Sequence, residues 1–205
     1  AHSNLGIILG DLGNLKEAEL SQRKAIELNP DYAEAHSNLS NILSVIGNLK
    51  EAELLQRKAI ELKPDFADAH LNLANILKDL GSLKEAELSV RKAIEVKPNL
   101  SHAYFRLSLL MIDVVNDKLL KYLFSEEIID SKENSSKLNQ ADIYFARGNI
   151  LERKKNYKES YKMFRIANIL TRKKFRSNFK VFKKALEIDS SIVKEIKDIS
   201  LLENK

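Results

Sequence analysis

The sequence predicts an all-α fold, a right-handed superhelical solenoid of 34-residue helix-turn-helix repeats. Pro30, Pro64 and Pro98 recur every 34 residues, as do Gly13, Gly47 and Gly81 and the series Ala1, Ala35, Ala69 and Ala103. Residues 14–47 laid over 48–81 give 25 identities in 34, so neighbouring units share one backbone and stack by one repeated operation. Within each unit the apolar and small residues return at helical spacing.

Each unit reads as two helices. In the second, Leu15, Ala18, Ala25, Ile26 and Leu28 mark one face, and Asn14 with Glu17, Asn48 with Glu51, and Ser82 with Glu85 have the spacing of a capping box. Pro30 stops that helix, and Asp31 with Glu34, or Asp65 with Asp68, offers a cap and a first-turn acid to the next. Gly13, Gly47 and Gly81 fall in the turn inside each unit, where a left-handed residue is expected. Burial should follow Leu5, Leu39, Leu73, Ala18, Ala52, Ala86, Ala25, Ala59 and Ala93, the small residues letting paired helices approach closely. His2, His36 and His70 each sit on their own unit, which predicts packing against a neighbouring helix rather than a shared metal.

Residues 1–98 are three regular units. A degenerate fourth covers 99–130, with Val115 where the turn glycine belongs and Leu119, Tyr122, Leu123 and Phe124 in a short second helix. Polar residues 131–139 read as a loop, 140–174 as a degenerate fifth unit around Gly148, Asn156, Tyr157 and Ala167, and 175–205 as basic helices near 175–187 and 191–202.

Composition narrows the chemistry. The 205 residues are 44% apolar and 31% charged, with no Cys and no Trp, which excludes thiolate catalysis, zinc-thiolate sites and disulfide scaffolding. No apolar run approaches the roughly 18 to 20 residues of a spanning helix, and no export signal opens the chain, so no membrane and a cytoplasmic location are expected. Ala1 begins inside a helix, which implies a longer protein. No phosphate loop, metal-spaced histidine pair, nucleophile elbow or carboxylate dyad can be assembled, so no catalytic residue, cofactor or metal is predicted and the chain is not read as an enzyme.

With the stretch AHSNLSNILSVIGNLKEAELLQRKAIELKPDF and its Leu39, Gly47, Ala52, Ala59 and Pro64, the sequence resembles the tetratricopeptide repeat. Histidine replaces that family's usual large aromatic, and Leu49 and Gln56 replace others. The resemblance implies that the first helices line an inner groove. There Asn4, Asn38 and Asn72 repeat at one position, with Asn41 and Asn75 one turn further along the same face. Amides donate and accept, so such a column can bracket the backbone of an extended peptide without reading side chains. It resembles the asparagine ladder of O-linked N-acetylglucosamine transferases, interrupted here by Arg106. It is also similar to the carboxylate clamp of cochaperones at Asn41, Asn72 and Arg106, although Ser37 and His102 stand where that clamp has lysines.

The charge is +5, but residues 147–184 hold 14 basic residues against Glu152 and Glu159 alone. This basic face, with Lys154, Lys155, Lys173 and Lys174, suits an acidic partner or a neighbouring catalytic domain. Tyr157, Tyr161 and Phe164 fall at the spacing of a buried stripe, which makes the aromatics core and the lysines a solvated outer face. Residues 105–185, with Phe145, Ala146, Asn156, Tyr157, Ala167 and Asn168, resemble the segment that precedes the catalytic domain of bacterial repeat-containing sulfotransferases. The function predicted is a non-catalytic protein-protein interaction scaffold that binds an extended polypeptide in the concave groove. The substrate-binding part of such a sulfotransferase, or of another transferase, is the first alternative, and a basic nucleic-acid adaptor ranks last.

Overall fold

The computed structural model describes residues 1–110 and 118–171, and the chain divides into two compact units, Ala1–Met111 and Ile112–Lys205. No strand occurs among the described residues. The N-terminal unit runs through α1 (His2–Asp11), α2 (Leu15–Leu28), α3 (Ala33–Ile46), α4 (Leu49–Leu62), α5 (Ala67–Asp79), α6 (Leu83–Val96) and α7 (Ser101–Leu110). Helices pair as antiparallel hairpins, α1 with α2, α3 with α4 and α5 with α6, and each hairpin stacks on the next.

Two local devices set that geometry. Gly13, Gly47 and Gly81 are left-handed, with φ of 81°, 96° and 83°. At Gly47 the chain reverses through Gly47 N to Ser44 O at 3.2 Å and Asn48 N to Leu43 O at 2.9 Å. A Cβ there would meet nothing within 4 Å, so the dihedral and not the space demands glycine. The second device is the small residue at the crossing: Ala18, Ala52 and Ala86 are all 0% exposed. Ala52 lies in a cluster with Leu39, Leu43 and Ile76, packed by Ile26, Leu55 and Leu80, so three successive units share one core. The backbones come close enough for Ser40 Oγ to donate to Ala52 O at 2.7 Å.

Most of the expected burial is found, but Leu5 is 48% exposed. Its repeat equivalent Leu39 lies in a cluster on which Ile26 of the preceding second helix packs. The capping boxes also need correction. Asn14, Asn48 and Ser82 occupy the N-cap positions but make no side-chain bond to the first-turn amides. Their ψ values of 64°, 64° and 60° depart from the extended backbone that aims a cap side chain at the helix. Asn48 Nδ2 donates to Glu51 Oε2 at 2.7 Å instead. Tyr32 and Phe66, not Asp31 and Asp65, are the N-caps of α3 and α5, while Glu34 and Asp68 do lie in the first turns.

The repeated histidines divide. His36 Nε2 lies 2.7 Å from Pro30 O and His70 Nε2 lies 3.0 Å from Pro64 O, tying each first helix to the turn before it, whereas His2 is exposed. Buried glutamines do similar work: Gln56 Nε2 donates to Ser37 Oγ at 3.0 Å and to Ala69 O at 3.1 Å, linking the first helices of adjacent units through α4.

The C-terminal unit contains α8 (Lys118–Leu123), α9 (Glu127–Asp130), a 3-10 turn (Lys132–Asn134), α10 (Lys137–Arg153) and α11 (Tyr157–Thr171). The expected loop 131–139 is therefore shorter, because Ser136 Oγ accepts from Asn139 N at 3.1 Å and starts α10 at Lys137. The division at Met111 falls inside the stretch read as the fourth unit, and Val115 and the helices expected after 175 lie outside the described residues. Arg147, the first of the 14 basic residues of 147–184, is buried. Only 5% exposed, it donates from Nε to Leu123 O at 2.8 Å and from Nη2 to Ser125 O at 2.7 Å, where α8 ends.

The α10–α11 hairpin reproduces the N-terminal devices with other residues. A Cβ on Gly148 would stand 2.5 Å from the Phe164 ring, and Ser160 Oγ donates to Gly148 O at 2.9 Å. Lys155 takes the left-handed turn position at φ 59°, with Asn156 N donating to Leu151 O at 2.9 Å.

Two stability changes follow from these contacts. Ala52→Leu should overpack the crossing and lower stability by about 1–3 kcal/mol, read as a lower denaturation midpoint. Lys155→Gly should relieve the left-handed strain and raise stability by about 0.5–1 kcal/mol, and a lower melting temperature would contradict the turn assignment.

Candidate functional site

The first helices form the inner side of the N-terminal unit. α1 packs on α3 and α3 on α5, whereas the second helices are bridged through long side chains, Arg23 Nη2 to Glu51 at 2.7 Å and Arg57 Nη2 to Glu85 at 2.9 Å. These outer ion pairs are substantially exposed, so each contributes at most a few tenths to about 1 kcal/mol.

The repeated asparagines lie along the first helices and reach solvent unequally. Asn4 and Asn41 are exposed, and Asn38, Asn72 and Asn75 are half-buried. Asn38 Nδ2 donates to Ser3 Oγ at 3.3 Å across the α1–α3 contact, and Arg106 Nη1 donates to Asn75 Oδ1 across α5 and α7. These contacts use part of each amide's capacity, which is two donors and two acceptor lone pairs.

Two pockets open beside the column. The first, about 240 Å³ between α1, α2 and α3, is lined by Ile7, Asp11, Gln22, Asn38, Asn41 and Val45 among others. The second, about 200 Å³ between α5, α6 and α7, is lined by Asn75, Lys78, Leu83, Val90, Arg106 and Leu109 among others. Lys78 carries Asp79 at 3.5 Å, with both side chains about half exposed. On α7, burial holds His102 below the ordinary histidine value, and the positive charge of Arg106 pushes it the same way, against Asp68.

In the C-terminal unit Lys154 and Lys155 are exposed at the α10–α11 turn, and Lys173 and Lys174 lie outside the described residues. Phe164 is 5% exposed, with its ring centroid 6.3 Å from that of Phe145, and Tyr157 and Tyr161 are half-buried. These aromatics are more core than stacking platform. Among the described residues no three potential metal ligands gather, and no helix is long and apolar enough to cross a membrane.

Sequence reasoning missed Gln22 and Lys78 as lining residues. The signal for Gln22 was its return as Gln56 followed by Val90; for Lys78 it was a lysine where earlier units have Gly10 and Ser44.

Family models described as tetratricopeptide repeat match residues 22–53 in one case and 1–32, 67–100 and 141–167 in another. Curated proteins give no match. Among solved structures, YrrB, described as a TPR protein with an unusual peptide-binding site, is 22% identical with a TM-score of 0.58 over 84% of this chain and 86% of that one. PilF of Pseudomonas aeruginosa is 18% identical with a TM-score of 0.69, covering 91% of this chain and 82% of that one. An O-GlcNAc transferase of Thermobaculum terrenum is 20% identical with a TM-score of 0.54, covering 74% of this chain but 25% of the enzyme. At these identities the likeness is one of fold. The resemblance of residues 105–185 to a sulfotransferase segment has no counterpart among these three.

The charge environment of α7 can be read directly. Arg106→Met should move the His102 titration midpoint up towards the ordinary 6.5, as followed by NMR. Because the folded state favours neutral His102, this group supports folding above its unfolded value and that support is lost as the pH falls through the folded one. An unchanged midpoint in the variant would contradict the proximity of the two charges.

Proposed function

Because this chain belongs to the tetratricopeptide-repeat family, we propose that it is a non-catalytic interaction scaffold that holds an extended polypeptide along the first helices of its N-terminal unit. One observation carries the reading: Asn38, Asn41, Asn72 and Asn75 lie at repeated positions on the inner helices, with solvent access, beside pockets whose lining includes the apolar Ile42, Val45, Leu83 and Val90. An extended peptide presents backbone donors and acceptors at regular spacing, and a column of amides meets both. Apolar side chains lining those pockets offer a peptide the burial that neutral hydrogen bonds alone do not. The described part of the basic face lies apart from this column in sequence and follows no 34-residue period.

Mutation and salt separate the groove from the basic face. Replacing Asn38 and Asn72 with Ala should weaken binding of an extended peptide by about 0.5–1.5 kcal/mol per lost neutral hydrogen bond, with little change in salt dependence. Lys154→Gln with Lys155→Gln should leave that binding nearly intact. The opposite pattern, with the lysines deciding affinity and a steep fall of affinity with salt, assigns the function to the basic face and a polyanionic partner.

A further inference from the structure

Ile7, Asn41, Asn75 and Leu109 occupy one position on four successive first helices, each 34 residues after the last. The two middle members are amides and the two outer ones are apolar. Each outer member lines a pocket: Ile7 shares the α1–α3 pocket with Leu15, Ile42 and Val45, and Leu109 shares the α5–α7 pocket with Leu83, Val90 and Leu110. Ile42 and Val90 are buried, whereas Ile7 is 45%, Val45 71%, Leu83 43% and Leu109 56% exposed. A single exposed aliphatic residue is ordinary, but two such pairs, each opening on a concave pocket, leave apolar surface in water where a ligand can cover it. Charge does not set these pockets apart. Asp11 recurs as Asp79, Lys78 lies 3.5 Å from Asp79, and Arg106 donates to Asn75. An apolar cavity of roughly 150 Å³ accepts benzene, so volumes of about 240 and 200 Å³ each hold one side chain of leucine or phenylalanine size.

We infer that the groove takes a peptide by two apolar anchors, one in each pocket, with the segment between them spread over α3 and α5. This rests on the groove reading and adds what that reading lacks, a ligand class and a spacing. Asn38 and Asn41 on α3 and Asn72 and Asn75 on α5 are the amides available to the backbone of the middle segment. α1 packs on α3 and α3 on α5. Packed helices lie about 8–10 Å apart, so two such steps separate the pockets by about 16–20 Å. An extended chain rises about 3.3 Å per residue and returns a side chain to the same face only at even separations, which selects anchors at i and i+6. A polyproline II chain, with three residues per turn and about 3.1 Å of rise, selects the same pair. The amides accept any sequence between the anchors, and the anchors supply the apolar burial that fixes the register.

The test uses the 205-residue chain and fluorescence anisotropy. The probes are serine-rich peptides, blocked at both ends, that carry two leucines at separations from about four to eight residues, one leucine, or none. A parallel set replaces both leucines with Asp or with Lys. The i, i+6 peptide should bind about tenfold tighter than the one-leucine peptide and about fivefold tighter than the i, i+5 and i, i+7 peptides, with little change between low and high salt. Gly10 lines the first pocket, and a Cβ there would have Ala18 Cβ at 4.0 Å as its contact, so Gly10→Leu should fill the pocket and bring the i, i+6 peptide down to the affinity of the one-leucine peptide. Val45→Ser and Leu109→Ser, both at exposed sites, should each weaken the i, i+6 peptide by roughly threefold with the melting temperature kept, and they carry the comparison if Gly10→Leu lowers that temperature. A gain that is the same at every separation marks general apolar adhesion and overturns the two-anchor assignment. Tighter binding of the Asp or the Lys set overturns the apolar class. Equal binding with and without leucine, while Asn38→Ala and Asn72→Ala still weaken every peptide, overturns the anchors and leaves the groove. Failure of every peptide to bind overturns both readings.

Discussion

The fold depends on how closely two helix backbones pass at one repeated crossing. Ala18, Ala52 and Ala86 have no exposed surface, and the Ser40 hydroxyl reaches the Ala52 carbonyl at 2.7 Å. A larger side chain there separates the helices of a hairpin and, because Leu39, Leu43 and Ile76 share the cluster with Ala52, separates adjacent hairpins as well. In the α10–α11 hairpin the same closeness is reached by Gly148 under the Phe164 ring, with Ser160 donating to the Gly148 carbonyl. Close crossing is the conserved requirement within the chain, and the residues that meet it vary.

Once the crossing is fixed, every first helix presents the same positions to the inner face, and duplication turns a single asparagine into a column. What stays variable is the side chain at each copy. Between the pocket at α1–α3 and its equivalent at α5–α7, Gln22 becomes Val90 and Asn38 becomes Arg106 without a change in the surrounding helix plan. Repetition thus supplies a uniform frame, and its local departures supply chemistry. The outer faces differ in kind: exposed pairs such as Arg23–Glu51 and Arg57–Glu85 join second helices at their solvated rims, where screening leaves them weak.

The regular units were legible because their signals are local and repeated. A left-handed turn wants glycine, a helix ends before proline and a tight crossing wants alanine, and each appears at a fixed interval. Features that depend on absolute position or side-chain direction were not. Leu5 matches Leu39 in sequence, yet α2 follows it where Leu39 also has Ile26 of the preceding unit nearby. Asn48 and Glu51 have capping-box spacing, but the N-cap dihedrals turn the two side chains towards each other. Arg147 belongs to a run of basic residues, and only the end of α8 brought against the middle of α10 shows why it is buried against two carbonyls. At the site, the asparagine column could be named from its period, whereas the buried Oε1 of Gln22 required coordinates.

The central claim is that an extended polypeptide lies along the first helices, and the side-chain amides themselves report on it. In a spectrum that resolves the Asn side-chain NH₂ groups, addition of a bound extended peptide should shift those of Asn38, Asn41, Asn72 and Asn75 together, with the buried Gln56 amide as the reference. Shifts confined to the outer second helices, or to Lys154 and Lys155 at the α10–α11 turn, with the asparagine amides unmoved, would contradict it.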